Sequence, residues 1–493
     1  MSETPRDPDL DRLADDLGRL TQRLLERVHT GSEDAPQVGD LIKRHLGDHA
    51  AAMPVVRAQF SAWDQANLQI ALDRALARDG WAAHTVGLAG QARHYGGIGL
   101  GDMMRMPHFP TGSVEYAEAP SGPGRTLACI DFAVMLIRSP RGPLAAFIHR
   151  GEQDHFQRAS EIEFQIAAAD RALAEELIAD LRALIERHDV YRGQVITVES
   201  SPEGTRLAFI ERPEMDAGEL VLPDGVIERV ERHLAGPSVH REKLLAMGRH
   251  LSRGLLLYGP PGTGKTHTVR YLTGRLREAT VIILAGGALG AIGAFGTVAR
   301  RLAPSVVILE DVDLVAEDRY DPDGGGTVLF QLMDQMSGLG EDADVAFVLT
   351  TNRPDALEPA LAARPGRVDL AIEIPLPDAE ARRRLIDLYA RGLDLRLADA
   401  DAVVARTEGV TASFVKELLR KAALVALEDG REHVADADVA AALDELLSEG
   451  AALTRILLGS GGDEQPRPGA EWMGRFPDWE DGDAEIVVWE RED

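Results

Sequence analysis

Gly254-Leu-Leu-Leu-Tyr258, running into Gly259-Pro-Pro-Gly-Thr-Gly-Lys-Thr266 and then His267, is the stretch on which the reading of this 493-residue chain turns. The apolar run reads as a buried strand, and Thr266 to Arg277 reads as a helix. A strand, a glycine-rich loop and a helix in that order make a cradle for phosphate. The loop needs glycines because its backbone N–H groups must turn inward and approach phosphate oxygens without side-chain obstruction. Lys265 then reaches the outer phosphates, and the Thr266 hydroxyl is placed to ligate magnesium at the helix N-terminus. The predicted nucleotide-contacting set is Gly259, Pro260, Pro261, Gly262, Thr263, Gly264, Lys265, Thr266 and His267.

Two more apolar runs end in polar residues of the matching chemistry. Ser305-Val-Val-Ile-Leu-Glu-Asp-Val-Asp313 reads as a strand closing on a cluster of carboxylates. In a parallel sheet ligands gather at the carboxyl ends of strands, which puts these acids beside the phosphate loop. One acid can hold magnesium, directly or through water, and the next can orient or deprotonate an attacking water. A third strand, Val345 to Leu349, ends in Thr350-Thr-Asn-Arg-Pro354, where the Asn352 amide can hydrogen-bond both that water and the terminal phosphate.

Together these motifs resemble the AAA ATPases. GPPGTGKT corresponds to the Walker A motif, VVILEDVD to Walker B, and TTNRPDALEPALAARPGRVD to the second region of homology, with similarity from about Leu220 to Leu447. The resemblance implies a doubly wound parallel-sheet P-loop domain of α/β class, a helical lid from about Asp378 onward, ATP and Mg2+ as cofactors, and a homo-hexameric ring. It makes Asn352 the sensor residue, Arg364 and Arg367 arginine fingers that reach a neighbour's site, and Tyr389 a residue lining the nucleotide base. Gly409-Val-Thr-Ala-Ser-Phe414 stands where the family carries a GxSGAD segment, at the start of a lid helix over Thr411 to Leu427.

Three departures from the family pattern stand out. The usual Asp-Glu pair is replaced by Glu310-Asp311, so the metal-side acid Glu310 is longer and the catalytic acid Asp311 shorter by a methylene each. This form resembles that of the mitochondrial AAA translocase type. One residue is inserted before Arg364 in EPALAARPGR. The segment that usually carries an aromatic pore triplet is Gly286 to Gly296, with Phe295 as its one aromatic candidate and a core position as the alternative.

Composition bounds the remaining possibilities. With 53 basic and 81 acidic side chains the net charge is -28, which repels polyanions and disfavours a nucleic-acid substrate. The single Cys129 has no partner for a disulfide or a thiolate metal site. The longest apolar stretch, Thr126 to Ile137, is interrupted by Asp131 and too short to span a bilayer. With no start resembling a signal peptide, a cytoplasmic protein without membrane association is expected.

Five segments are expected along the chain. Residues 1–36 form a leucine-striped helix (Leu10, Leu13, Leu17, Leu20, Leu24) and a linker. Residues 37–212 form an α+β N-terminal domain, with helical segments at Val38 to His49, Val55 to Arg78 and Arg158 to His188. Strand pairs are predicted there at Thr126 to Ile137 with Pro143 to His149, and at Gly193 to Glu199 with Thr205 to Glu211. The glycine cluster Gly96 to Gly101 reads as a loop, with no strand before it and no GKT after it. The ATPase αβ subdomain occupies 213–377 and the lid 378–458. Residues 459–493 form an acidic tail holding Trp472, Trp479 and Trp489, read as disordered and, equally, as a docking peptide.

The expected function is a Mg-dependent ATP hydrolase whose ring remodels or unfolds protein, with the N-terminal region recognising a protein substrate or adaptor. The alternative is a nucleotide-dependent assembly switch or scaffold that threads nothing, which the bland pore segment favours. No HExxH follows the ATPase region, which excludes a fused zinc protease on this chain.

Overall fold

The computed structural model describes residues 36–89, 98–106, 109–150, 161–201, 204–286, 288, 292–313, 342–355 and 368–448. The leucine stripe of the first thirty residues, Arg364, Arg367 and the tryptophan-bearing tail lie outside these residues. Two compact units emerge: Met1–Gly259 with Lys265–Ile374, and Pro260–Gly264 with Pro375–Asp493.

The first unit contains two seven-stranded sheets. The N-terminal one is built from β1 (Val55–Ser61), β2 (Ala82–Leu88), β3 (Thr111–Gly112), β4 (Glu115–Gly122), β5 (Arg125–Ser139), β6 (Gly142–Arg150) and β7 (Glu161–Ala168). Its order is β1-β7-β6-β5-β2-β3, with β4 also on β5, and its pairings are antiparallel. Helices α1 (Val38–Leu46), α2 (Gln65–Leu76), α3 (Leu100–Arg105) and α4 (Arg171–Arg187) cover both faces. Alternation along β5 shows how: Ala133, Met135 and Ile137 face a core with Leu72 of α2 and Leu177 of α4, whereas Val134 and Leu136 face Ile42 of α1 and Met103 of α3.

Local pattern corrects two expected helices. Over 55–61 and 161–168 the chain forms β1 and β7, because Ala58 and Phe60, and Ile162, Phe164 and Ile166, recur at every second residue and enter the same core. Helix begins only after each strand, at Gln65 and at Arg171, the second capped by Asp170 accepting from the Ala172 N–H. The glycine cluster does follow a strand, β2, and ends by entering α3 at Leu100.

The second sheet comprises β8 (Val195–Ser201), β9 (Gly204–Ile210), β10 (Arg253–Tyr258), β11 (Thr280–Leu284), β12 (Ser305–Leu309), β13 (Val345–Thr351) and β14 (Leu370–Glu373). They lie in the order β14-β10-β13-β12-β11-β8-β9, parallel except for β9. Helices α5 (Val226–Val239) and α7 (Lys265–Arg275) supply Val230, Leu234, Val269 and Leu272 to one face, and α6 (Arg241–Ala246) lies between them in sequence. Helix α8 (Ile292–Arg301) packs Phe295 and Val298 on the other. A parallel sheet buried on both faces explains why its strands read as unbroken aliphatic runs. The sheet also extends upstream of the boundary expected at residue 212. Val195 to Thr197 pair in parallel with Val281 to Ile283, and Val195 and Ile196 are fully buried there.

The second unit is mostly helical: α9 (Ala379–Tyr389), α10 (Ala400–Arg406), α11 (Ala412–Glu428) and α12 (Asp436–Leu447), with a two-stranded parallel sheet of β15 (Asp394–Arg396) and β16 (His433–Ala435). Both α9 and α12 pack on α11, burying Phe414, Leu418, Leu419 and Ala422. Asp378, Asp399 and Thr411 each accept a backbone N–H at the start of α9, α10 and α11, satisfying donors that a helix leaves open.

One buried ion pair clamps the N-terminal ends of the central strands. Arg253, the first residue of β10, donates to Asp344 Oδ1 (2.8 Å), to the Leu251 carbonyl (2.7 Å), to the Leu234 carbonyl (2.9 Å, from Nε) and to Ser238 Oγ (3.0 Å). The Asp344 carbonyl in turn accepts the first N–H of β12, from Ser305. Arg253→Met therefore strands a buried carboxylate and is expected to cost about 3–5 kcal/mol in urea denaturation. The double variant Arg253→Met/Asp344→Leu should lose distinctly less, since it removes both charges together.

Candidate active site

The loop between β10 and α7 owes its path to three glycines with positive φ: Gly259 (147°), Gly262 (76°) and Gly264 (113°). At Gly259 the requirement is double, because a Cβ there would sit 2.2 Å from the Ile374 carbonyl oxygen. Thr263 closes the loop from within by donating its hydroxyl to the Pro260 carbonyl at 2.9 Å. The backbone N–H of Ser413, at the start of α11, donates to the Gly262 carbonyl at 3.1 Å, and residues 260–264 group with that helical unit.

Lys265 opens α7 and is buried, its Nζ donating to the Gly259 carbonyl at 2.8 Å. Burial pulls its pKa down from 10.5 to about 8, while Asp311 and Asp313 pull the other way. An anion brought beside this ammonium would favour its charged form. Thr266 and His267, by contrast, are exposed, so the Thr266 hydroxyl is open to an incoming group.

The neighbouring strand ends supply the acids and the amide. Because β13 lies between β10 and β12, the residues following β12 and β13 emerge side by side. Glu310 and Asp311 are half-buried, and burial first, then the Asp311 charge, raises the Glu310 pKa. A carboxylate pushed toward its neutral form by burial and by a second carboxylate would be relieved by a cation brought beside it. Asp311 adopts a left-handed conformation, φ 51°, which is costly for a residue with a side chain. Its N–H is held by Thr350 Oγ1 at 3.0 Å, and the Asn352 amide stands 3.4 Å from its Oδ1.

A third acid, Asp313, carries a role that the motif reading did not assign. It is buried, and its Oδ1 accepts the Thr351 hydroxyl at 2.9 Å and the Asn352 N–H at 3.2 Å. Asp313, Thr350 and Thr351 thus fix the Asp311 and Asn352 backbones. The signal was present as two hydroxyls ending an otherwise aliphatic strand.

Two further predicted residues lie on other elements. Tyr389 is half-buried at the end of α9, in the other unit. Phe295 is fully buried on α8, in contact with Trp63 at a ring-centroid distance of 5.7 Å. It is a core residue and not an aromatic displayed on a loop.

Residues 255–376 match the ATPase family associated with various cellular activities (AAA). The chain thus carries an AAA ATPase domain over these residues. Among its relatives is the proteasome-activating nucleotidase of Thermococcus onnurineus, 29% identical over 55% of this chain and 72% of the relative. The corresponding nucleotidase of Pyrococcus abyssi is 31% identical over 50% of this chain and 66% of its own. The ATP-dependent zinc metalloprotease FtsH of Thermus thermophilus is 34% identical over 45% of this chain and 37% of its own length. This AAA protein is an ATP hydrolase, with an α/β domain that binds nucleotide. Among the described residues no helix is long and apolar enough to cross a membrane.

The depressed Lys265 pKa sets an expectation for binding. The phosphates require the protonated ammonium, which the free protein loses above about pH 8. ATP affinity should therefore weaken by about tenfold per pH unit above that point. The unfolded chain keeps this proton to about 10.5, so the Lys265 contribution to stability of the ligand-free protein moves oppositely, rising with pH between the two values. Titration with a fluorescent ATP analogue from pH 7 to 9.5 checks the first expectation. Asp311→Asn should move its onset to lower pH, because one charge that supports the ammonium is gone.

Proposed function

We propose that the residues at the ends of β10, β12 and β13 hydrolyse Mg-ATP with Asp311 as the group that accepts a proton from water. The observation that carries this reading is the Asp311–Asn352 approach of 3.4 Å, beside the two acids that bias Lys265. Lys265 binds the outer phosphates. Thr266 and Glu310 hold Mg2+, which when bound offsets charge on the phosphate oxygens. Asn352 orients the water, and Asp313 keeps Asn352 in place.

Asp311→Asn should bind ATP with affinity little changed at pH 7 and lose about 10²-fold or more in hydrolysis, because an amide accepts no proton from water. Glu310→Gln should instead raise the magnesium concentration needed for half-maximal rate. The opposite pairing of phenotypes, read from Mg titrations of steady-state ATPase, would exchange the two roles.

At the level of the whole molecule we infer a homo-hexameric ring that works on protein substrates. The relatives' names support this, since proteasome activation and ATP-dependent proteolysis both couple nucleotide to protein handling. Arg364 and Arg367 act in trans on a neighbour's phosphates, Tyr389 lines the base, and the N-terminal sheet domain engages a substrate or adaptor. The burial of Phe295 favours the second reading, an assembly switch that threads nothing, because that segment then offers no aromatic grip.

Subunit mixing tests the ring. Lys265→Ala and Arg367→Ala subunits should each be nearly silent, since an arginine finger contributes about 10³–10⁵ in rate. Their mixture should recover activity wherever an intact Lys265 sits beside an intact Arg367. Activity independent of protein concentration, with no recovery on mixing, overturns the trans arrangement. ATP-dependent unfolding of a tagged fluorescent protein separates the two readings: its absence, with assembly still following nucleotide state, selects the switch.

A further inference from the structure

Helix α8 leads into the strand that carries the acids. Its last residue, Arg301, is followed by Leu302, Ala303 and Pro304, after which β12 runs to Glu310 and Asp311. The C-terminus of α8 is held by side chains from the N-terminal half of the chain. Arg301 makes a two-pronged contact with Asp64, Nη1 to Oδ2 and Nη2 to Oδ1, both 2.8 Å, and Nη2 also lies 3.0 Å from Asp189 Oδ2. Asp64 stands immediately before α2, and Asp189 follows α4. Both aspartates are buried, and Asn67 Nδ2 donates to each of them, at 3.0 and 3.1 Å.

The same junction grips the backbone. Arg192 donates to the Ala303 carbonyl at 3.0 Å and to the Arg301 carbonyl at 2.9 Å. The Tyr191 hydroxyl donates to the Trp63 carbonyl at 2.8 Å, and the Trp63 ring packs on Phe295 in the middle of α8. Two buried carboxylates beside a half-buried guanidinium are expensive to separate from one another, so the contact resists being opened. A fixed contact of this kind carries displacement from one element to the next.

We propose that Arg301 is a positioning residue for hydrolysis: through Asp64 and Asp189 it couples the N-terminal sheet domain to α8 and thereby to the strand that presents Glu310 and Asp311. The N-terminal domain is then part of the body that sets the acids, and nucleotide binding is felt at α2 and at the segment after α4. No residue of those segments belongs to the nucleotide site, so a response there travels through the junction.

Hydrogen exchange by mass spectrometry on the full chain, with and without a saturating non-hydrolysable ATP analogue, tests this. In the wild type, protection over 62–76 and 186–193 should rise when the analogue binds. Arg301→Lys keeps a charge and loses the two-pronged geometry, and Arg301→Met/Asp64→Asn removes the pair together so that less charge is stranded. Either should abolish that distant response and lower kcat by about tenfold, with analogue affinity within about twofold of wild type. Unchanged exchange over 62–76 in the wild type on analogue binding overturns the proposal. So does a folded variant of either kind that hydrolyses at the wild-type rate, or one that loses affinity with kcat intact.

Discussion

Strand β13 hydrogen-bonds in parallel to β10 on one side and to β12 on the other, and the site follows from that arrangement. Parallel strands send all their carboxyl ends the same way, so Lys265 after β10, the acids after β12 and the amide after β13 lie at one end of the sheet. The Arg253–Asp344 pair fixes the opposite ends of the same strands. Lengthwise slip of β13 would move Asn352 away from Asp311, and the buried ion pair resists that slip through the high cost of separating its charges.

Around this frame the site is held under tension of two kinds. One is electrostatic: a half-desolvated Glu310 beside Asp311, and a buried Lys265 whose charge the acids only partly support. The other is conformational, in the left-handed backbone of Asp311. Both are unfavourable in the free protein. The surroundings tolerate them because Thr350, Thr351 and Asp313 satisfy the neighbouring polar groups.

The N-terminal half is more closely joined to the ATPase sheet than a tethered recognition module would be. The β8–β9 hairpin extends the sheet through β11, and Arg212 donates to carbonyls at Leu276, Ala279 and Gly193, tying the chain after β9 to the turn before β11. The Arg301 cluster adds a second attachment on the other side of the sheet, at α8. These contacts join residues far apart in sequence, and their energetic weight lies in buried charges that lose their partners if the junction opens.

The sequence by itself determined the nucleotide chemistry, because that chemistry is encoded in contiguous runs. GPPGTGKT, LEDVD and TTN each lie at the end of an aliphatic strand, and local spacing suffices to read them. Hairpins such as β5–β6 and β8–β9 were legible for the same reason, being neighbours along the chain. Val55–Ser61 and Glu161–Ala168 read as helix although alternate residues enter one core, because the adjoining helices at Gln65 and Arg171 extend the pattern. That β1 pairs with β7 across a hundred residues is a tertiary fact, since β1 finds its ladder partner only in that distant strand. The tertiary structure alone likewise decided that Phe295 is core, that Asp313 serves Asn352, and that Arg301 finds Asp64 and Asp189. Each depends on which distant surface a side chain meets once water is excluded, and no spacing in the sequence carries that information.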